Sequence, residues 1–205
     1  MSSASYQIAV NEVQEEIIVN RSRFICYLAP CTSAQALKSF VKELQLIHPQ
    51  ASHHCYAFVA GKPDDSQKYG FSDDGEPSGT AGRPMLAVLQ GSQVGQVCAV
   101  VVRYFGGTKL GTGGLQRAYG ASVRQALTLL QTKTKIPMVH KALACQYTQV
   151  DDVIRLINQF DGQILTQEFA ADVQLTLSLP KEKLALAEKH LTTLSCGKLT
   201  LQTID

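Results

Sequence analysis

The last third of the chain alternates so regularly that few folds accommodate it. Residues 173–179, VQLTLSL, put Val173, Leu175, Leu177 and Leu179 on one side at a period of two, the signature of a strand with one buried face. Upstream, Val139, Leu143, Cys145 and Tyr147 share a strand face, and Val150, Val153, Ile154 and Ile157 follow at helical spacing. GQILTQEF, from Gly162, reads as the next strand and reaches VQLTLSL through a short turn. Pro180 then opens a helix with Leu184, Ala187, Leu191 and Leu194 on one side, Gly197 ends it, and KLTLQTI is a final strand. The predicted order over 138–205 is β-α-β-β-α-β, a ferredoxin-like domain with two helices on one face of a small sheet. His140, Cys145, His190 and Cys196 read there as core or surface residues, and such a fold says little about function by itself.

The preceding residues form a second apolar pattern, so the chain is expected to be α+β with two domains. EEIIVN and RFICYLAP read as strands, and a helix follows from about Ser33 with Leu37, Phe40, Val41, Leu44 and Ile47 as its stripe, stopped by Pro49. HHCYAFVAG is another strand, Arg83 to Gln90 a short helix, and Val97 to Tyr104 a central buried strand. A long helix closes this half, with Leu115, Ala118, Tyr119, Val123, Ala126, Leu127 and Leu130 at the required spacing. The expected division is a first domain over 1–132, a linker over 133–137 within QTKTKIP, and a second domain over 138–205.

Glycine is distributed very unevenly: 12 of the 15 glycines lie between Gly70 and Gly120. A strand running into Gly106-Gly107, then Gly111-Thr112-Gly113-Gly114, then a helix would bring unpaired N–H groups and the positive helix end to an open surface. Thr112 is placed to cap that helix or to touch a ligand. No Asp or Glu occurs between Glu76 and Asp151, whereas Arg83, Arg103, Lys109, Arg117, Arg124, Lys133, Lys135 and Lys141 fall inside that span; Arg124, Lys133 and Lys135 read as solvated surface. Positive charge beside exposed backbone is an anion-binding combination, and the planar fork of Arg103 suits phosphate. The loop matches neither G-x-x-x-x-G-K-[ST] nor G-x-G-x-x-G; a tight structural turn is the alternative.

Composition excludes other classes. The formal charge is +2 and the pI about 8.2, well short of a strongly basic nucleic-acid binder. Apolar runs such as Val97 to Val102 are far shorter than the roughly 20 residues of a membrane span. The start, MSSASYQIAVNEVQEE, lacks a basic segment and an apolar core, so a cytoplasmic location with no membrane partner is expected. Six cysteines without a C-x-x-C pair read as reduced thiols. His53 and His54 point to opposite faces of a strand, so no metal site is expected there, and no cofactor elsewhere. Asp73, Asp74 and Glu76 suit a solvated turn; together with His53 and His54 they are candidates for a cleft that also takes in Arg83 and the glycine loop.

Arg103-Tyr104-Phe105-Gly106-Gly107 followed by Leu110-Gly111 matches an R-aromatic-aromatic-G-G-x-x-L-G signature, and the chain resembles the bacterial, YigZ-type branch of the IMPACT family. His53-His54-Cys55, FSDDGEP with its following G and TAG from Phe71 to Gly82, and GTGGL from Gly111 to Leu115 also resemble that branch, so the likeness spans essentially the whole chain. It implies a first domain of the α/β fold shared with GHMP kinases and a ribosomal small-subunit protein, and a second domain similar to a terminal domain of elongation factor G. It also implies a link to regulation of translation, as in eukaryotic members.

The function expected is therefore a binding module for RNA, the ribosome or a translation factor, with phosphate as the contact of the first domain. One alternative is an enzyme acting on a phosphorylated small molecule or nucleotide; against it, the acid-free span puts no general base beside the loop. A third is a protein-protein regulator of a translation factor or kinase.

Overall fold

Val97–Tyr104, the longest buried run, lies at the centre of a five-stranded antiparallel sheet. The computed structural model describes residues 5–204; the outermost ends of both expected domains, residues 1–4 and 205, lie outside the described residues. In chain order the first unit contains β1 (Tyr6–Ala9), β2 (Val13–Val19), β3 (Ser22–Pro30), α1 (Ala34–Ile47), β4 (His53–Val59) and β5 (Tyr69–Ser72). It continues with α2 (Gly82–Gly91), β6 (Val94–Gly95), β7 (Val97–Tyr104), α3 (Gly111–Leu127) and β8 (Thr132–Lys135). The large sheet has the order β2-β3-β7-β4-β5.

Both faces of β7 are covered, which explains why its sequence is apolar throughout rather than alternating. On one face Cys98 and Val100 pack with Ala29, Cys31 and the Leu37 and Leu44 positions of α1. On the other, Val97, Ala99 and Val101 join Phe24, Leu28, Met85, Leu89, Tyr119 and Val123 from β3, α2 and α3. Truncating one of these fully buried side chains to alanine costs about 2–5 kcal/mol. α1 begins where expected, with the Ser33 hydroxyl accepting from Ala36 N–H at 3.1 Å.

The junction between the two halves departs from the sequence reading. The segment expected as a linker is mostly β8, which pairs antiparallel with β1 in the register Tyr6↔Lys135 to Ala9↔Thr132, while β6 pairs parallel with β1 on its other side. Its TKTK sequence is polar and exposed, so hydrophobic periodicity could not mark it; backbone pairing makes the strand. The chain divides between Lys135 and Ile136 into two units.

The second unit holds β9 (Met138–Cys145), α4 (Val150–Gln159), β10 (Gln163–Phe169), β11 (Val173–Pro180), α5 (Leu184–Leu194) and β12 (Gln202–Thr203). The β-α-β-β-α-β order is as predicted, with the sheet order β10-β11-β9-β12 and every neighbouring pair antiparallel. Val173, Leu175, Leu177 and Leu179 pack against Val153 and Ile157 of α4 and Ala187 and Leu191 of α5. Pro180 is not the helix start: it ends β11 opposite Met138, and α5 begins at Leu184. The final strand is only two residues long.

Candidate anion-binding site and the buried charge cluster beneath it

The stretch from Gly106 to Arg117 is the expected glycine-rich surface, but its geometry differs from a loop followed by a helix. Gly106 sits against the β2–β3 turn so tightly that a Cβ there would lie 2.0 Å from the Arg21 carbonyl carbon, which only glycine avoids. Its N–H donates to the Ser22 hydroxyl at 3.1 Å. The chain then enters α3 through Gly111, whose φ of +72° is left-handed. Gly111, Thr112, Gly113 and Gly114 are thus the first turn of α3 itself, the turn whose N–H groups lack an intrahelical partner. Thr112 lies inside that turn and does not cap it: Leu110 holds the N-cap position, no side chain caps the helix, and no acid lies in the first turn. Gly107, Lys109, Gly111, Thr112 and Arg117 are exposed, while Gly113 and Gly114 are half-buried.

The start of α2 is closed by contrast. Asp73 accepts from Ala81 N–H at 3.0 Å and Gly82 N–H at 2.8 Å through one oxygen, and from Gly79 N–H at 2.8 Å through the other. Partial burial works against the charge of Asp73, yet these backbone donors and nearby Arg83 together lower its pKa below the ordinary 3.8. Arg83 itself is exposed at the start of α2.

Arg103 is placed differently from the expected phosphate ligand. It alternates with Ala99 and Val101 on the α2–α3 face of β7 and is only 5% exposed. Its Nη1 donates to Glu76 Oε1 at 2.5 Å, and its guanidinium lies over the rings of Phe24 and Phe105. One arm of its fork thus holds an internal carboxylate, Nη2 reaches the Ser22 hydroxyl at 3.4 Å, and the buried Nε has no partner among the described residues, so Arg103 is not the open anion contact expected. Glu76, 8% exposed, also accepts from the Tyr119 hydroxyl at 2.7 Å. The Cys55 thiol lies 3.3 Å from that hydroxyl oxygen and 2.9 Å from the Asp73 carbonyl oxygen. Burial pushes the titrations of Tyr119 and Cys55 far up, so both stay protonated at neutral pH.

The two histidines separate as alternation requires. His53 faces this cluster: its Nδ1 is 2.7 Å from the Asp74 carbonyl oxygen, an acceptor only, so Nδ1 carries the proton and Nε2 points toward Glu76 Oε1 at 3.9 Å. His54 faces the α1 side with Tyr56 and Phe58, and only its backbone N–H reaches the acidic turn, donating to Asp74 Oδ2 at 2.6 Å. Among the expected cleft residues, then, His53, Asp73, Asp74 and Glu76 adjoin one another and are joined by Arg103, whereas the His54 ring does not. Asp74 and Gly75, both at positive φ, form a tight turn leading from β5 toward α2, not a hairpin. Gln116 Nε2 donates to Gly79 O at 3.4 Å, tying α3 to this turn one helical turn before Tyr119.

A carboxylate far off in sequence does come under α3: Glu76, 27 residues before Arg103, is buried between Arg103 and Tyr119, while no acid lies in the first turn of the helix. Tyr119, Ser22 and Gln116 were missed because they read as core or surface positions, and no spacing in the sequence links them to Glu76. Among the described residues, no group of three or more His, Cys, Asp and Glu is placed to hold a metal ion, and no helix is long and apolar enough to cross a membrane.

A two-unit α+β chain with this Arg–Glu–Tyr cluster beneath a glycine-opened helix defines a particular class. Residues 20–127 match the Impact N-terminal domain, and residues 143–198 match a domain of unknown function, DUF1949. The chain belongs to the IMPACT family. It is 50% identical over 193 residues, 94% of each chain, to IMPACT family member YigZ of Escherichia coli (strain K12). It is 44% identical over 202 residues, 98% of each chain, to an IMPACT family member of Haemophilus influenzae (strain ATCC 51907 / DSM 11121 / KW20 / Rd). A crystal structure described as that of a hypothetical protein shares 48% identity and a TM-score of 0.70, over 98% of each chain.

Proposed function

We propose that this protein is a cytoplasmic RNA-binding module acting in translation, on the ribosome or with a translation factor, and that its first unit holds a phosphate at the start of α3. The observation that carries this reading is the contrast between two helix starts. The first turn of α2 is filled by the Asp73 carboxylate, while the first turn of α3 is Gly-Thr-Gly-Gly with no cap and no acid, flanked by the exposed cations Lys109 and Arg117. Unpaired N–H groups, the positive helix end and two cations favour an anion there, and glycine leaves its approach clear. Arg103 supports the site from below by fixing the strand end that precedes it.

The test is equilibrium binding of a short single-stranded RNA. Lys109→Ala is expected to weaken binding and to lower the salt slope by about 0.7, the share of one phosphate contact on a single strand. Gly113→Val is expected to weaken it too, by obstructing approach. Wild-type affinity and slope in both variants would refute the phosphate site.

A second reading has one observation in its favour: the His53 imidazole stands at a half-open surface between the Asp74 carbonyl, 2.7 Å from Nδ1, and the Glu76 carboxylate, 3.9 Å from Nε2, a place from which it could exchange a proton with a bound ligand. Turnover of a nucleotide or phosphorylated metabolite that disappears in His53→Gln, with an unchanged melting curve, would move the assignment to an enzyme.

A further inference from the structure

Beyond its first turn, α3 carries a pattern of which the phosphate site uses only Arg117. No acidic residue occurs from Gly111 to Leu127, and the two cations in that span each follow a glycine by four residues: Gly113 with Arg117, and Gly120 with Arg124. The pairs are seven residues apart. In both, the guanidinium folds back along the helix over its glycine: a Cβ on Gly113 would lie 3.6 Å from Arg117 Nη1, and one on Gly120 would lie 3.8 Å from Arg124 Nη2. Both arginines are exposed, and among the described residues neither has a hydrogen-bond or ion-pair partner.

Seven residues advance about 10.5 Å along a helix and rotate it by only about 20°. The two guanidinia therefore lie in one line on the exposed side of α3, away from the buried Ala118, Ser122 and Ala126 and bordered by Gly120, which is buried beside Val88 of α2. Among the described residues two acids bond this helix, Glu15, held by Gln125 Nε2 at 2.6 Å, and the buried Glu76, which accepts from Tyr119, and neither bonds an arginine of the line. Two aligned, flattened, unneutralised guanidinia continue the positive surface that begins at Lys109.

We propose that the line from Lys109 through Arg117 to Arg124 is a track for the sugar–phosphate backbone of a nucleic-acid strand, entered at the open first turn of α3. The inference rests on the phosphate site proposed above and extends it from one phosphate to a polymer. Arg124 lies 11 residues beyond Gly113, about 16 Å along the axis. A phosphate or pyrophosphate seated at the first turn cannot reach it. A strand can, because its charges recur every ~3.4 Å along a duplex axis and at comparable intervals when single. Charge spacing thus makes the track selective for a polymer over a mononucleotide, with no base contacts and hence little sequence preference.

The experiment measures binding of a 12-nucleotide RNA and the matching DNA across a salt series, and of pyrophosphate by calorimetry, for the whole protein and its Arg124→Ala, Arg117→Ala/Arg124→Ala and Arg117→Lys/Arg124→Lys variants. The double alanine variant should lose about 1.4 from the salt slope for either strand, and the double lysine variant should regain most of it. Pyrophosphate affinity should be the same in Arg124→Ala as in the wild type. A wild-type RNA slope in the double alanine variant overturns the track and leaves the phosphate site standing if pyrophosphate still binds. If the wild-type protein binds neither strand nor pyrophosphate, the phosphate site and the track fall together.

Discussion

Asp73 shows how much one side chain sets in this fold. Its two oxygens take three backbone N–H groups and so fix both the acidic turn and the start of α2. Its pKa is lowered in the folded state, so the stabilisation is fully present above the ordinary value of 3.8 and is lost as the pH falls through the folded pKa. Asp73→Asn should lower the melting temperature at pH 7, and its stability should depend less on pH than the wild type's below about pH 4. Equal acid dependence in the two proteins would contradict this role. Arg103 and Glu76 form the other demanding pair: Arg103→Ala leaves a buried carboxylate without its cation and should cost about 3–5 kcal/mol in a denaturant titration. Lys109→Ala should stay within about 0.5 kcal/mol of the wild type. Arg103 was misplaced in the sequence reading because charge and neighbouring glycines suggest a surface, but its parity with Ala99 and Val101 already put it on a buried face of β7. Its partner was not legible, since nothing in the chain marks Glu76 as the carboxylate that folds beneath α3.

Among the elements, α3 separates glycines required by the backbone from glycines that keep a surface clear. Gly111 has φ +72°, so Gly111→Ala should destabilise by about 1–2 kcal/mol. Gly113 has no left-handed φ and only the end of Arg117 nearby, so Gly113→Ala should stabilise the helix by up to ~1 kcal/mol. Thermal melts of the two variants should therefore move in opposite directions; a shift of the same sign in both would remove the distinction. The long helix itself is legible from its apolar stripe, but its start at Gly111 is not, since Gly-Thr-Gly-Gly reads as loop. Glycine disfavours helix locally, and here the tertiary fit of Gly106 on the β2–β3 turn and the packing of Leu115 and Tyr119 override that preference. β8 escaped for the complementary reason, being a polar strand defined by pairing alone.

At the scale of the molecule, the two apolar patterns read from the sequence correspond to two units with separate cores, the first built as one cluster on each face of its large sheet. The boundary falls after Lys135 because β8 belongs to the first unit. A chain ending at Lys135 should unfold cooperatively, whereas one ending at Leu130 lacks β8, leaves β1 unpaired on that side and should melt lower. Equal melting of the two fragments would show that β8 contributes nothing. The β-α-β-β-α-β unit was the most legible part, since alternation and helical spacing there are uninterrupted and no charge is buried. In the first unit, the contacts of the buried charge cluster join residues far apart in sequence, and periodicity carries no information about them.

The central claim is that the open first turn of α3 receives a phosphate. Its most direct test follows the backbone amide resonances of the ¹⁵N-labelled protein during titration with a short single-stranded RNA. The N–H signals of Gly111, Thr112 and Gly113 should shift saturably, with those of Ala81 and Gly82, already bonded to Asp73, remaining in place. Saturable binding that leaves Gly111, Thr112 and Gly113 unmoved and shifts resonances elsewhere would contradict the account.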